Sequence, residues 1–181
     1  WSNKIYVFTR QSNNYIYKMS ILTHNAILSN IDKGNIKIEP FKFSALGSNS
    51  YDVHLSKYFA TYKDIVLDAK VDNELEHFEI SEKGFELRPG ILYLATTVEY
   101  TETFNLVPYL EGKSSTGRLG IQIHVTAGKG DIGFCNYWTL ELVATQPVIV
   151  YLNMPIGQLT YYTIEGKNTN PYDTDNYQNK W

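Results

Sequence analysis

The sequence predicts one mainly β domain of the sandwich or barrel type, opened by a single short helix. Composition is the first sign: fifteen Tyr, eight Phe and three Trp stand among 181 residues, and aromatic and β-branched side chains fit a pleated, half-buried surface. Punctuation is the second. From Pro89 onward, short apolar runs follow one another between turn residues with almost no helical period, the pattern of a sandwich or barrel. Third, 43% hydrophobic and 19% charged residues describe an ordinary globular chain, long enough for a real core.

Residues 1–18 are rich in Asn, Ser and Tyr and are set aside as an N-terminal extension or expression remnant, because a better-formed pattern begins at Met19. Ile21, Leu22, Ala26, Ile27 and Ile31 recur at helical spacing. Ser20 or Thr23 suits the start of that helix and Gly34 its left-handed stop. The period then changes to two. Ile36 to Phe41 and Tyr51 to Tyr58 read as strands divided by Gly47-Ser48-Asn49-Ser50. Residues 61–86 form an acidic excursion with one strand near Phe78-Ile80. Strands are then expected at Ile91–Val98, Pro108–Leu110, Ile121–Val125, Trp138–Ala144, Val148–Leu152 and Gln158–Ile164. The domain is taken as 19–165 and the polar stretch 166–181 as a tail.

A formal net charge of -3 argues against nonspecific binding to DNA or RNA, which needs dense Lys and Arg. A small anion needs only a local cluster of cations. Cys135 is the single cysteine, so no intramolecular disulfide framework exists. No apolar run approaches a membrane span, and no signal-peptide pattern is seen. The expected location is the cytoplasm of a bacterium, an archaeon or a virus-infected host.

Chemistry concentrates in three stretches. Glu111-Gly112-Lys113-Ser114-Ser115-Thr116-Gly117-Arg118 gathers two cations, three hydroxyls and two glycines, a plausible phosphate cradle or simply a polar turn. It is no P-loop, since position 107, where that motif begins with Gly, is Val. Thr126-Ala127-Gly128-Lys129-Gly130-Asp131-Ile132-Gly133-Phe134 presents Asp131 among three glycines. That loop either brings its backbone close to a ligand or is a hairpin in which Asp131 caps its own backbone. In Trp138-Thr139-Leu140-Glu141-Leu142-Val143, Glu141 interrupts an apolar strand and shares a face with Thr139 and Val143. A solvated face is the plain reading of such a carboxylate. If instead it is buried, apolar surroundings favour the neutral acid, which a proton donor must be.

The four histidines are scattered. Zinc-dependent cytidine deaminases pair His-x-Glu with Pro-Cys-x-x-Cys, and one cysteine cannot supply the second motif. No zinc is therefore expected. His124 reads as a packed or hydrogen-bonded strand residue.

Together the stretches resemble the dCTP deaminase family, related in fold to the trimeric dUTPases. The resemblance covers roughly residues 20–178. It rests on Ser50-Tyr51-Asp52-Val53-His54-Leu55, Glu111 to Gly120, Thr126 to Phe134, Thr139-Leu140-Glu141 and Ile156-Gly157-Gln158-Leu159. It implies a dUTPase-like distorted β-barrel or jelly roll that forms a homotrimer with active sites between subunits. It further implies that Glu141 is the proton donor and acceptor, and that Ser114 and Arg118 hold the attacking water and the nucleotide. Substrate binding would fall to Lys113, Ser115, Thr116, Gly117, Asp131, Thr139, Leu140, Gln158 and Tyr172. Mg²⁺ would ride on the triphosphate, with no protein ligand. Gly117, Thr126-Ala127-Gly128 and Gly133-Phe134 look more like the branch that goes on to dUMP and diphosphate than the one that stops at dUTP. A dUTPase acting on dUTP alone and a non-catalytic nucleotide-binding relative are the alternatives. Gly130 departs from the family's apolar residue before the aspartate. The segment Asn176-Tyr177-Gln178-Asn179-Lys180 resembles its Lys-Tyr-Gln-x-Gln lid with both ends changed.

Overall fold

The structure, a computed structural model, describes residues 20–169 and Tyr172. The extension expected over 1–18 and the lid-like residues 176–180 lie outside the described residues.

Helix α1 (His24–Asp32) packs Ile27 into the interior. Gly34 ends it at φ +73°, and its N–H bonds the Ile31 carbonyl at 3.0 Å, the left-handed stop that glycine allows. The start differs from expectation. Thr23 occupies the N-cap without a side-chain bond, while the His24 N–H is satisfied by the Ser48 carbonyl at 2.6 Å. Ile21 and Leu22 lie outside the helix. Ile21 bridges Tyr162, and the Leu22 N–H bonds the Tyr161 carbonyl at 2.9 Å, so a neighbouring strand has claimed both.

The strands are β1 (Ile36–Glu39), β2 (Tyr51–Tyr62), β3 (Leu75–Glu79), β4 (Phe85–Leu87), β5 (Tyr93–Thr103), β6 (Leu106–Gly112), β7 (Ile121–Gln122), β8 (Cys135–Ala144), β9 (Val148–Val150) and β10 (Pro155–Thr163). A single helical turn, α2 (Ser114–Gly117), joins β6 to β7. The main sheet runs β6-β10-β2-β5-β8-β7, with β1 added to β5 and β3 to β2, while β4 and β9 pair by themselves. The pairings are antiparallel, and the alternation of buried and half-buried residues along β5 and β8 fits a sheet packed on one face.

Residues 123–130 draw this sheet towards closure. On one side the Leu110 N–H bonds the Gly128 carbonyl at 2.7 Å and the Gly130 N–H bonds the Pro108 carbonyl at 2.9 Å; on the other the Glu141 N–H bonds the Ile123 carbonyl at 2.9 Å. The result is a nearly closed barrel, the fold expected from the sequence. Leu55, Leu140, Leu142, Ile156 and Leu159 fill its interior at 0% exposure, each contributing about 1.5–3 kcal/mol of burial. Phe59, Phe78, Phe85 and Tyr93 form an aromatic cluster with ring centroids 5.2 to 5.7 Å apart. Among the described residues, no helix is long and apolar enough to cross a membrane.

Candidate active site

Two separate groups of residues emerge from this frame. The first gathers where β2, β6 and β10 lie side by side. Gln158 on β10 stands opposite Asp52 on β2 and opposite Glu111 on β6, so the three side chains share one face of the sheet. Asp52 forms an ion pair with Lys113, which leads into α2. The expected cradle is thus a helical turn rather than an open loop. Its Thr116 is buried and donates to the Lys113 carbonyl at 2.9 Å and the Ile156 carbonyl at 3.4 Å. Thr116 therefore pins the turn, and its hydroxyl is not offered to a ligand. Ser114, Ser115, Gly117 and Arg118 are exposed.

The second group centres on β8. Leu140 and Leu142 point inward at 0% exposure, and Glu141 between them is half-buried on the opposite face, shared with Thr139. One carboxylate oxygen of Glu141 accepts the Val125 N–H at 3.0 Å. Leu140, expected to touch substrate, has only its backbone to offer. The loop after Val125 carries the exposed Asp131. Its glycines are required by close approach. A Cβ at Gly128 would stand 2.6 Å from the Leu110 carbonyl oxygen, and one at Gly130 would stand 2.5 Å from the Trp138 ring. The Trp138 indole fills the space that a side chain at 130 would take, which accounts for the missing apolar residue before Asp131. Tyr172 docks on the same loop. Its N–H bonds the Ile132 carbonyl at 2.9 Å, and its ring lies 6.2 Å from that of Phe134.

A groove of about 390 Å³ is lined by Glu111 and Gly112 of β6 and by His124, Val125, Thr126 and Gly128. His124 is the residue that sequence reasoning undervalued. Both of its ring nitrogens are buried without a hydrogen-bond partner. Burial holds its pKa below the ordinary value, against the opposing pull of the Glu141 charge, so the ring is a neutral imidazole beside the carboxylate. Its place in the groove was not readable, because a lone strand histidine carries no such signal.

Among the described residues, the Ser114 hydroxyl and the Arg118 guanidinium have no side-chain hydrogen-bond partner, and the Glu141 carboxylate bonds Val125 instead. Nor, among the described residues, does any cluster of three or more His, Cys, Asp or Glu offer to hold a metal ion.

The chain matches the dCTP deaminase-like family over residues 21–164. A Clostridium botulinum protein named dCTP deaminase, dUMP-forming, is 48% identical over 159 residues, covering 88% of this chain and 91% of its own. A Leptospira biflexa protein of the same name is 46% identical over 158 residues, covering 87% of this chain and 90% of its own. The crystal structure of 2'-deoxycytidine 5'-triphosphate deaminase from Agrobacterium tumefaciens superposes with a TM-score of 0.64 at 20% identity, over 80% of this chain and 48% of that one. This chain therefore spans about half the length of that solved protein, and the likeness speaks for the fold alone. On the strength of a match that runs through both groups of residues, the chain belongs to the dCTP deaminase-like family.

Proposed function

We infer that the chain deaminates dCTP and releases dUMP and diphosphate, with Glu141 as the acid and base of the deamination. The relatives named dUMP-forming support that product over dUTP. The observation that carries the role of Glu141 is its placement: a half-buried carboxylate on β8, fixed by the N–H of Val125 at 3.0 Å, a residue that lines the groove.

Glu141 takes a proton from water as the water oxygen bonds to C4 of cytosine, and passes that proton to the ring nitrogen. The tetrahedral C4 then carries both hydroxyl and amino groups. Glu141 moves the hydroxyl proton to the amino group, the C–N bond breaks, and ammonia leaves a uracil ring behind. Ser114 holds the water, and Arg118 steadies the charge that develops in the tetrahedral intermediate. Asp131 meets the sugar. Lys113, Ser115 and Gln158 face the phosphates, where a second water cleaves dUTP to dUMP. Mg²⁺ arrives as the counter-ion of the triphosphate and is part of the substrate.

Ser114 and Arg118 reach Glu141 across a subunit boundary in a homotrimer. Both side chains are exposed and, among the described residues, neither makes a side-chain hydrogen bond to Glu141, which supports this reading. Nucleoside triphosphates are made and used in the cytoplasm, which supports that location.

Glu141→Gln tests the assignment. With dCTP and Mg²⁺, ammonia release should fall by about 10²–10⁴, while nucleotide binding, measured by calorimetry, should persist. A variant that still releases ammonia at the parent rate would remove Glu141 from its role. Diphosphate from dUTP with no ammonia from dCTP would make the protein a dUTPase instead.

A further inference from the structure

The ladders on both sides of β5 slip at the same place. Between Thr96 opposite Thr139 and Tyr100 opposite Tyr137, β5 spends residues 97–99 against Trp138 alone. Between Leu55 opposite Thr97 and Phe59 opposite Ala95, β2 spends residues 56–58 against Thr96 alone. Such bulges leave backbone groups without ladder partners, and buried groups need partners. Here side chains provide them. The Trp138 N–H donates to the Thr97 hydroxyl oxygen at 3.0 Å, and the Thr97 hydroxyl donates onward to the Glu99 carbonyl at 2.8 Å. The Glu99 carboxylate, at 0% exposure, accepts the His54 N–H at 2.8 Å and meets the His54 Nδ1 at 2.5 Å. The indole of Trp138 adds a bond to the Thr101 hydroxyl at 2.9 Å.

These bonds decide where β8 lies just before Thr139, Leu140 and Glu141. A buried carboxylate in a barrel wall costs heavily unless fully partnered, and apolar packing would serve stability as well. The chain of contacts ends at Trp138, three residues from Glu141. We propose that Thr97, backed by the buried His54–Glu99 pair, is a positioning residue that sets the Thr139–Glu141 segment for proton transfer. The same strand serves the other group, since Asp52, two residues before His54, holds Lys113. The proposal rests on the role given to Glu141. Its physical basis is that a displacement of about 1 Å in a reacting group lowers rates by about 100-fold.

The test is Thr97→Val, which keeps shape and loses the hydroxyl, with Thr97→Ser as the rescue and Glu141→Gln alongside. Ammonia release from dCTP is followed per mole of folded protein, with thermal melting recorded for each variant. Thr97→Val should lower kcat about 10- to 100-fold at nearly constant KM, and Thr97→Ser should restore most of it. A merely structural role would lower the melting temperature and leave kcat per folded molecule unchanged, and that result overturns the proposal. So does a Thr97→Ser as impaired as Thr97→Val. Should Thr97→Val not be recovered folded, Glu99→Gln decides the matter, and a parent-like kcat in that variant overturns the proposal. An inactive Glu141→Gln beside a fully active Thr97→Val sinks this inference alone, whereas an active Glu141→Gln sinks the reading beneath it.

Discussion

The turn at Ser114–Arg118 and the strand segment at Thr139–Glu141 are built in opposite ways. The turn is short and exposed, pinned by one buried hydroxyl on Thr116 and one partly exposed ion pair between Lys113 and Asp52. The strand segment lies between β5 and β7, with Leu140 and Leu142 fully buried beneath it and a side-chain network fixing its approach. Cations and hydroxyls that await a phosphate gain from staying wet until the ligand arrives. A group that moves protons must already be in place, because transfer tolerates displacements of only about 0.5 Å. On the proposed roles of Arg118 and Glu141, the contrast would separate binding from rate within one fold.

The largest expected effect comes from mixing subunits. Arg118→Ala and Glu141→Gln should each be nearly inactive alone. Refolded together in equal amounts, they should regain turnover at about a quarter of the sites, namely those that combine an intact Arg118 from one chain with an intact Glu141 from another. Ammonia release from the mixture is the measurement. No recovery would place both groups in one chain and erase the division just drawn.

A smaller effect is expected at the tether of the turn. Asp52→Asn removes the ion pair with Lys113, whose partners are 21% and 26% exposed, an interaction worth about 1 kcal/mol at most in such a setting. The KM for dCTP should rise several-fold, on the order of that energy, with kcat nearly constant. A lower KM would mean that Asp52 competes with the phosphates for this cation. Read beside Thr97→Val, the pair of variants should separate KM from kcat on two neighbouring strands, β2 and β5.

Much of this was legible in the chain. The change from helical to alternating period located the barrel, and Glu141 stood out as a carboxylate inside an apolar strand. Glu99 carried a similar signal within Thr96-Thr97-Val98-Glu99-Tyr100 and was passed over, because its partner His54 lies 45 residues away. Asp52 was noticed only as part of a resemblance, since Lys113 lies 61 residues away. Ile21 and Leu22 fitted the helix by spacing, yet the edge of β10 recruited them. The strand Phe85–Leu87 escaped notice because its alternation spans three residues and its partner is Val148–Val150. Local pattern reports local preference, while the bonds that fix this site are long-range and pass through side chains.

The smallest expected effect belongs to His124, and its sign follows from burial. Desolvation lowers the pKa of this imidazole in the folded chain, whereas the unfolded chain titrates near the ordinary value of 6.5. Well above that pH both states hold a neutral ring, and His124 adds no pH dependence to stability. As the pH falls through about 6.5, the unfolded chain takes up a proton that the folded chain resists, so stability declines towards acid. Glu141 faces the ring and opposes part of this, since its charge favours the imidazolium. His124→Leu removes the titration altogether. Denaturant unfolding at intervals between about pH 7.5 and 5 should therefore show a shallower acid decline for the variant than for the parent, whatever its absolute stability. Equal slopes would mean that a proton reaches the buried ring without penalty, and His124 would then belong to the wet half of the molecule rather than to the fixed one.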